Sequence, residues 1–270
     1  MAAADYDRAA IASCLAGLPL EAGDIVFSHS NVGFFGRLDG ARNGAEICAA
    51  LAEAILARIA PGGTLVVPTF TYSFPNREVF DVENSASKMG ALAEWVRRHP
   101  DAHRSADPCY SVAALGARAA ELTQGVAENS FGPGSFFDRF HKAGGKLLNM
   151  NFDAGSTLVH YVERELRVPY RFDKEFHGTI REQGLERSAR SVIWVRYLSD
   201  DALAAAFEPF DRLARERGLF PTRPLGRGSI GVISSRDTYD LIAQTLPSRP
   251  WFLTKAEALG VANPRIVPEN

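Results

Sequence analysis

Apolar positions along the chain recur with two different periods. Residues 6–18 carry them at helical spacing and stop at Gly17–Pro19, and residues 43–59 place Ile47, Leu51, Ile55 and Ile59 on one stripe before Pro61-Gly62-Gly63. Both stretches predict helices. DIVF at 24–27 lies between them and TLVV at 64–67 follows the second, short runs of the kind that make buried strands. The same reading predicts further helices over 91–98, 136–142, 200–217 and 237–246, and strands over 111–115, 146–150, 192–197 and 228–233. Strands and helices alternate clearly in the first half and more loosely later, which predicts an α/β fold.

The most informative stretch is KLLNMNFDAGSTLVHYVERELRVPY, residues 146–170. An apolar run, a break at 151–155 and a resumption at helical spacing predict strand, loop and helix, with Ser156 or Thr157 as the cap. On that helix His160 and Glu163 are three apart and share a face. An imidazole beside a carboxylate can take a proton near neutral pH, since the carboxylate fixes the tautomer and stabilises the cation. The same spacing also fits a structural histidine, with Glu163 paired to Arg164 or Arg167 on a solvated face.

Polar turns end two of the predicted strands. SHSNVGFFG, residues 28–36, offers hydroxyls, an imidazole and glycines that let a backbone donate N–H groups to phosphate or thioester oxygens. It is neither a Walker loop nor a dinucleotide fingerprint. PTFTYSF at 68–74 ends the second strand in hydroxyls and aromatics, and two such ends separated by a helix suggest neighbouring edges of one crevice. Phe70, Tyr72 and Phe74 serve equally as core cover. Arg104-Ser105 can hold a phosphate or sit on a solvated turn.

Composition narrows the classes. With 270 residues, 46% hydrophobic and 23% charged, and with neither repeat nor linker, the chain is expected to form one globular domain over residues 1–270. Balanced charge, 30 Lys+Arg against 32 Asp+Glu, argues against nucleic acid or an anionic membrane as partner and for a small molecule. Without a membrane-length apolar run or a signal pattern at its start, a cytoplasmic location is expected. The three cysteines lie too far apart in sequence to suggest a disulfide framework or zinc site; Cys109 beside Pro108 fits a nucleophile or an apolar filler.

In order and spacing, DIVFSHSNVG (24–33), GGTLVVPT (62–69), FD…S…GALAE (80–94), RSADPCYSVAALG (104–116), GPGSFFDR (132–139) and GGKLLNMN…STLVHYVE (144–163) resemble the aminoglycoside 3-N-acetyltransferase family. The resemblance implies a mixed central sheet flanked by helices, unlike the GCN5-related acetyltransferase fold, with acetyl-CoA as cosubstrate and no metal. His160 and Glu163 match the family's catalytic histidine and glutamate. Ser28, His29, Ser30, Asn31 and Val32 match the turn that holds the cofactor, and Thr69, Arg104, Ser105 and Ser111 match residues lining the same cleft. The Thr69 hydroxyl or nearby backbone N–H groups are candidates to meet the oxyanion. Phe70, Tyr72, Asp107 and Asp153 are expected at the acceptor.

Where the family has Arg-Ser-x-His-Pro, this chain has Arg104-Ser105-Ala106-Asp107-Pro108, so a carboxylate replaces an imidazole. Asp107 can hold an ammonium or cap a turn. The expected activity is acetylation of a primary amine on an aminoglycoside, an amino sugar or a nucleotide-linked amine, with His160 as general base. A serine hydrolase, although there is no GxSxG, and a non-catalytic CoA-binding relative are the alternatives, and a homodimer is left open.

Overall fold

The computed structural model describes residues 3–268, so the expectation of one domain over residues 1–270 extends at each end past the described residues. The first half runs α1 (Arg8–Ala16), β1 (Ile25–Ser30), a 3₁₀ turn (Val32–Phe35), α2 (Gly44–Ile59), β2 (Thr64–Pro68), β3 (Phe80–Asp81), α3 (Ala91–Arg97), β4 (His103–Arg104), β5 (Val112–Gly116) and α4 (Ala119–Thr123). The second runs α5 (Phe136–Lys142), β6 (Lys146–Met150), α6 (Leu158–Glu165), β7 (Arg171–Glu182), β8 (Leu185–Arg196), a 3₁₀ turn (Asp201–Leu203), α7 (Glu208–Glu216), β9 (Thr222–Leu225), β10 (Gly228–Ser234), α8 (Ser235–Thr245) and α9 (Lys255–Leu259). Polar side chains open several helices: Asp7 accepts from the Ala10 amide at 2.7 Å and Asn43 from the Glu46 amide at 3.0 Å. Each satisfies a first-turn N–H that the helix itself cannot.

Seven strands form one mixed sheet in the order β4-β5-β2-β1-β6-β10-β9. Its centre, β2-β1-β6, is parallel, and β5 and β10 join it antiparallel. Alternation along β1 sorts the core: Ile25 and Phe27 enter the cluster that includes α5, α6 and α8, while Val26 enters the one that includes α1, α2 and α3. Phe27 meets Phe136, Phe137 and Phe140 edge-on at centroid distances of 5.0, 6.0 and 5.8 Å. Each such fully buried ring contributes about 1.5–3 kcal/mol.

After β1 the chain leaves through α2 on one face, and after β6 it leaves through α6 on the other. Loops that part to opposite faces beside adjacent parallel strands open a crevice at their carboxyl ends, the usual ligand position of an open α/β sheet. Asn151 holds that place. Its φ of 59° is one that asparagine tolerates, its Nδ2 donates to Asn31 O at 2.9 Å, and its Oδ1 accepts from the Ser229 amide at 3.0 Å. A second sheet, β3-β7-β8, is built on a hairpin whose two-residue turn, Gln183-Gly184, has φ of 50° and 77°. Those angles belong to the tight turn that matches strand twist.

Three expectations change. Ser28, His29 and Ser30 continue β1 rather than forming a turn, because each pairs with β6, opposite Leu148, Asn149 and Met150. The helix expected over 200–217 is broken: Ala206 N–H bonds Leu253 O at 3.0 Å, Ala205 bridges Thr254, and α7 restarts around Pro209, which fits a first turn and no later one. The strand expected over 192–197 is the end of a twelve-residue β8.

Candidate functional site

The loop after β6 delivers α6 to the crevice. Ser156 Oγ accepts from the Leu158 amide at 3.2 Å and so acts as the cap, whereas Thr157 Oγ1 lies 3.3 Å from His29 Nε2. One turn into α6, His160 Nδ1 lies 2.7 Å from Glu163 Oε2. The imidazole keeps 16% of its side chain exposed, and Glu163 keeps none. A fully buried carboxylate requires compensating partners, and three converge: His160, the Tyr170 hydroxyl at 3.0 Å on Oε1, and the Arg171 guanidinium, whose Nε is 2.8 Å from Oε2. The Arg171 Nε–H is off the hydrogen-bond axis, so that contact is one of charge.

Burial, then the Arg171 charge, hold the His160 imidazolium below the usual histidine range, with Glu163 opposing. Burial pushes the Glu163 carboxyl upward, but Arg171, His160 and Tyr170 together outweigh it and keep the group below the usual carboxylate range. The pair at neutral pH is therefore carboxylate and neutral imidazole. With Nδ1–H donated to Glu163, the lone pair resides on Nε2, which bonds no described residue.

Aromatic rings wall the imidazole. Phe131 stands perpendicular to it at 5.9 Å and Phe207 is tilted at 5.8 Å. The wall continues from Phe131 to Tyr110 at 4.8 Å, and from Tyr110 to Phe70 at 5.0 Å and Tyr72 at 5.3 Å. Phe70 is a core ring, while Tyr72 is half-buried and held at φ 53°. Phe74 packs in a separate cluster with Phe80 and Cys109, so Cys109 is an apolar filler.

Thr69, Ser111 and Arg104 interlock. Arg104 Nε donates to Thr69 Oγ1 at 3.2 Å, its Nη1 donates to Val82 O and Ser85 O, and its Nη2 to Thr69 O and Ser111 Oγ. Ser111 Oγ donates to Thr69 O at 2.7 Å, which leaves the Thr69 hydroxyl proton directed at Ser111 Oγ, 3.0 Å away. Ser105 Oγ accepts from the Val112 amide at 2.9 Å. Asp107 Oδ1 accepts from the amides of Cys109 at 2.8 Å and Tyr110 at 2.9 Å, the geometry of a capped turn.

At the end of β1 the side chains diverge. Ser28 turns its buried hydroxyl, which has no partner among the described residues, toward the α2 face, while His29 and Asn149, opposite each other in register, turn toward α6. Burial drives the His29 imidazolium down to about 4, so the ring is neutral at pH 7. Asn149 Nδ2 fastens the loop through Asp153 O at 2.6 Å and Gly155 O at 3.1 Å. Ser30 is half-buried, Asn31 is exposed and Val32 buried; exposed Asp153 accepts from the Gly155 amide at 2.8 Å. Sequence reasoning missed Thr157, Tyr110, Phe131, Asn149, Tyr170 and Arg171. Tyr170 and Arg171 follow Glu163 by seven and eight residues but lie past the end of α6 at Glu165, so the return of the chain into β7 brings them back.

A half-buried histidine paired with a buried glutamate thus stands near the parallel centre of a mixed sheet, and the curated relatives of the chain are acyltransferases. The fold matches a solved complex of AAC-IIIb with CoASH at a TM-score of 0.76 over 90% of this chain and 97% of that one, a likeness of fold at 22% identity. It also matches the apoenzyme of aminoglycoside acetyltransferase AAC(3)-IVa at 0.72, with 25% identity over 92% and 91%. The family model described as aminoglycoside 3-N-acetyltransferase matches residues 28–247, and the chain belongs to that family. Aminoglycoside N(3)-acetyltransferase IV of Salmonella sp is 32% identical over 69% of each chain. Enzyme III of Serratia marcescens is 28% identical over 59% of this chain and 64% of its own, and enzyme IX of Micromonospora chalcea 26% over 86% and 87%.

Proposed function

We propose that this protein is a cytoplasmic, acetyl-CoA-dependent N-acetyltransferase that acetylates a primary amine of a small molecule, with His160 as general base. The carrying observation is the His160 ring: Nδ1 is pinned by Glu163, and Nε2 is left as a free base beside the crevice. An alkylammonium of pKa about 10.4 must shed a proton before its nitrogen can attack a thioester. In this reading the ammonium first releases one proton to solvent, and the free amine nitrogen then attacks the acetyl carbon while His160 Nε2 takes a second proton from it. The C–S bond then breaks, and the thiolate of CoA leaves with the proton returned from the imidazolium. Glu163 holds the ring throughout and stabilises its charged form.

The amides of Val32 and Gly33 bond no described residue, which suits them to the carbonyl and phosphate oxygens of CoA alongside Asn31. Tyr72 and Asp153 are the residues proposed to meet the acceptor. The relatives are named for aminoglycosides, and that class, amino sugars and nucleotide-linked amines are the acceptors to try first. The deciding experiment measures thiol release from acetyl-CoA across an amine panel. A His160→Ala protein as active as the parent would refute the assigned base, and CoA binding by calorimetry without turnover on any amine would refute the activity.

A further inference from the structure

We propose that Arg171 is a positioning residue for this reaction: paired with buried Glu163, it keeps the carboxylate ionised and makes the neutral imidazole, rather than the imidazolium, the resting form of His160. The inference rests on His160 being the base. Its argument is a count of charges in a closed space. Glu163 is wholly buried, and Arg171 exposes 6% of its side chain. Guanidinium, carboxylate and neutral imidazole sum to zero. Without the guanidinium, zero is reached only by protonating Glu163 or His160, and either loses the base: a carboxylic acid no longer holds the ring as an anion does, and an imidazolium has no lone pair.

The geometry favours a role of charge over one of shape. Tyr170 and His160 already fix the carboxylate by hydrogen bonds on both oxygens, while the Arg171 Nε–H points off the bond axis. Other groups near the ring do not duplicate the charge. Phe131 and Phe207 are neutral, and Thr157, one turn back, reaches neutral His29. Asp153 and Asp211 bond the amides of Gly155 and Ala154, and Asp211 is paired with Arg215. Asp107 and Tyr110 stand behind Phe131; the Arg164–Asp173 pair is partly exposed, and Arg196, across the ladder from Arg171, is paired with Asp201.

The test compares the parent with Arg171→Met, Arg171→Gln and Arg171→Lys. The His160 ring is titrated by NMR, assigned against His160→Ala, and thiol release from acetyl-CoA with an aminoglycoside is followed over about pH 6 to 9. Removing the charge is expected to raise the His160 midpoint by about one unit or more, so that the rate falls several-fold more at the acidic end than at the alkaline end. Arg171→Lys should restore both. Gln keeps polar bulk without charge and carries the same expectation where Met does not fold. An unmoved midpoint, or a rate lowered equally at every pH, overturns the proposal. If His160→Ala retains full activity the base assignment falls instead, and the ring titration still reports on Arg171.

Discussion

Thr157 Oγ1 lies 3.3 Å from His29 Nε2, so a hydroxyl at the start of α6 is engaged by the penultimate residue of β1 and not by its own helix. His29 Nδ1 is buried without a partner among the described residues, and burial lowers the pKa of the ring to about 4. In the unfolded chain the same ring titrates near 6.5. Between those values the unfolded state holds the extra proton, so folding stability falls as pH drops from about 6.5 toward 4, by at most roughly 3 kcal/mol. Urea unfolding at about pH 7 and pH 5 should show this drop in the parent and a smaller one in His29→Asn; equal drops would remove His29 from the account.

Glu163→Gln replaces the anion that orients His160 and leaves the Arg171 charge buried without a counterpart. Acetyl transfer is expected to fall about 10²-fold or more, and stability by roughly 3–5 kcal/mol. Steady-state thiol release and a thermal melt read the two effects, and a variant with parental rate would exclude Glu163 from the reaction.

Thr69→Val removes the hydroxyl that accepts from Arg104 and donates to Ser111, at an expected cost of about 1–3 kcal/mol, whereas Thr69→Ser retains both bonds and should lose about 1 kcal/mol for the missing methyl. If the hydroxyl also turns to the oxyanion, Thr69→Val lowers kcat with little change in KM. Denaturant midpoints and initial rates of both variants separate the roles; a Val variant as stable as the parent would place the hydroxyl outside the network.

Asp107→Ala strips two amides of their acceptor in a buried turn and should destabilise by about 1–3 kcal/mol, while Asp107→Asn keeps an acceptor oxygen and should stay near the parent. Unfolding midpoints check the pair. An ammonium-holding role would appear separately, as a rise in the acceptor KM of Asp107→Asn with stability unchanged.

Where local chemistry decides structure, the sequence was readable. The strand at 146–150 and the helix at 136–142 coincide with β6 and α5, because an apolar run and a Gly144-Gly145 stop are local signals. β7 was not readable. Its apolar positions Phe172, Phe176 and Ile180 fall every fourth residue, a helical spacing, and only twelve paired positions with β8 make it a strand. The His160–Glu163 contact was legible because one helical turn dictates it. The engagement of Arg104 by Thr69, Val82, Ser85 and Ser111 was not, since it joins segments that meet only in the folded sheet.

The cluster proposed to handle the proton, from His160 through Glu163 and Tyr170 to Arg171, occupies a dozen consecutive residues, while the rings against His160, Phe131 and Phe207, come from distant stretches of chain. On the proposed reaction, such a division would let a substitution at the surrounding contour alter the fit of the acceptor without touching the group that takes its proton.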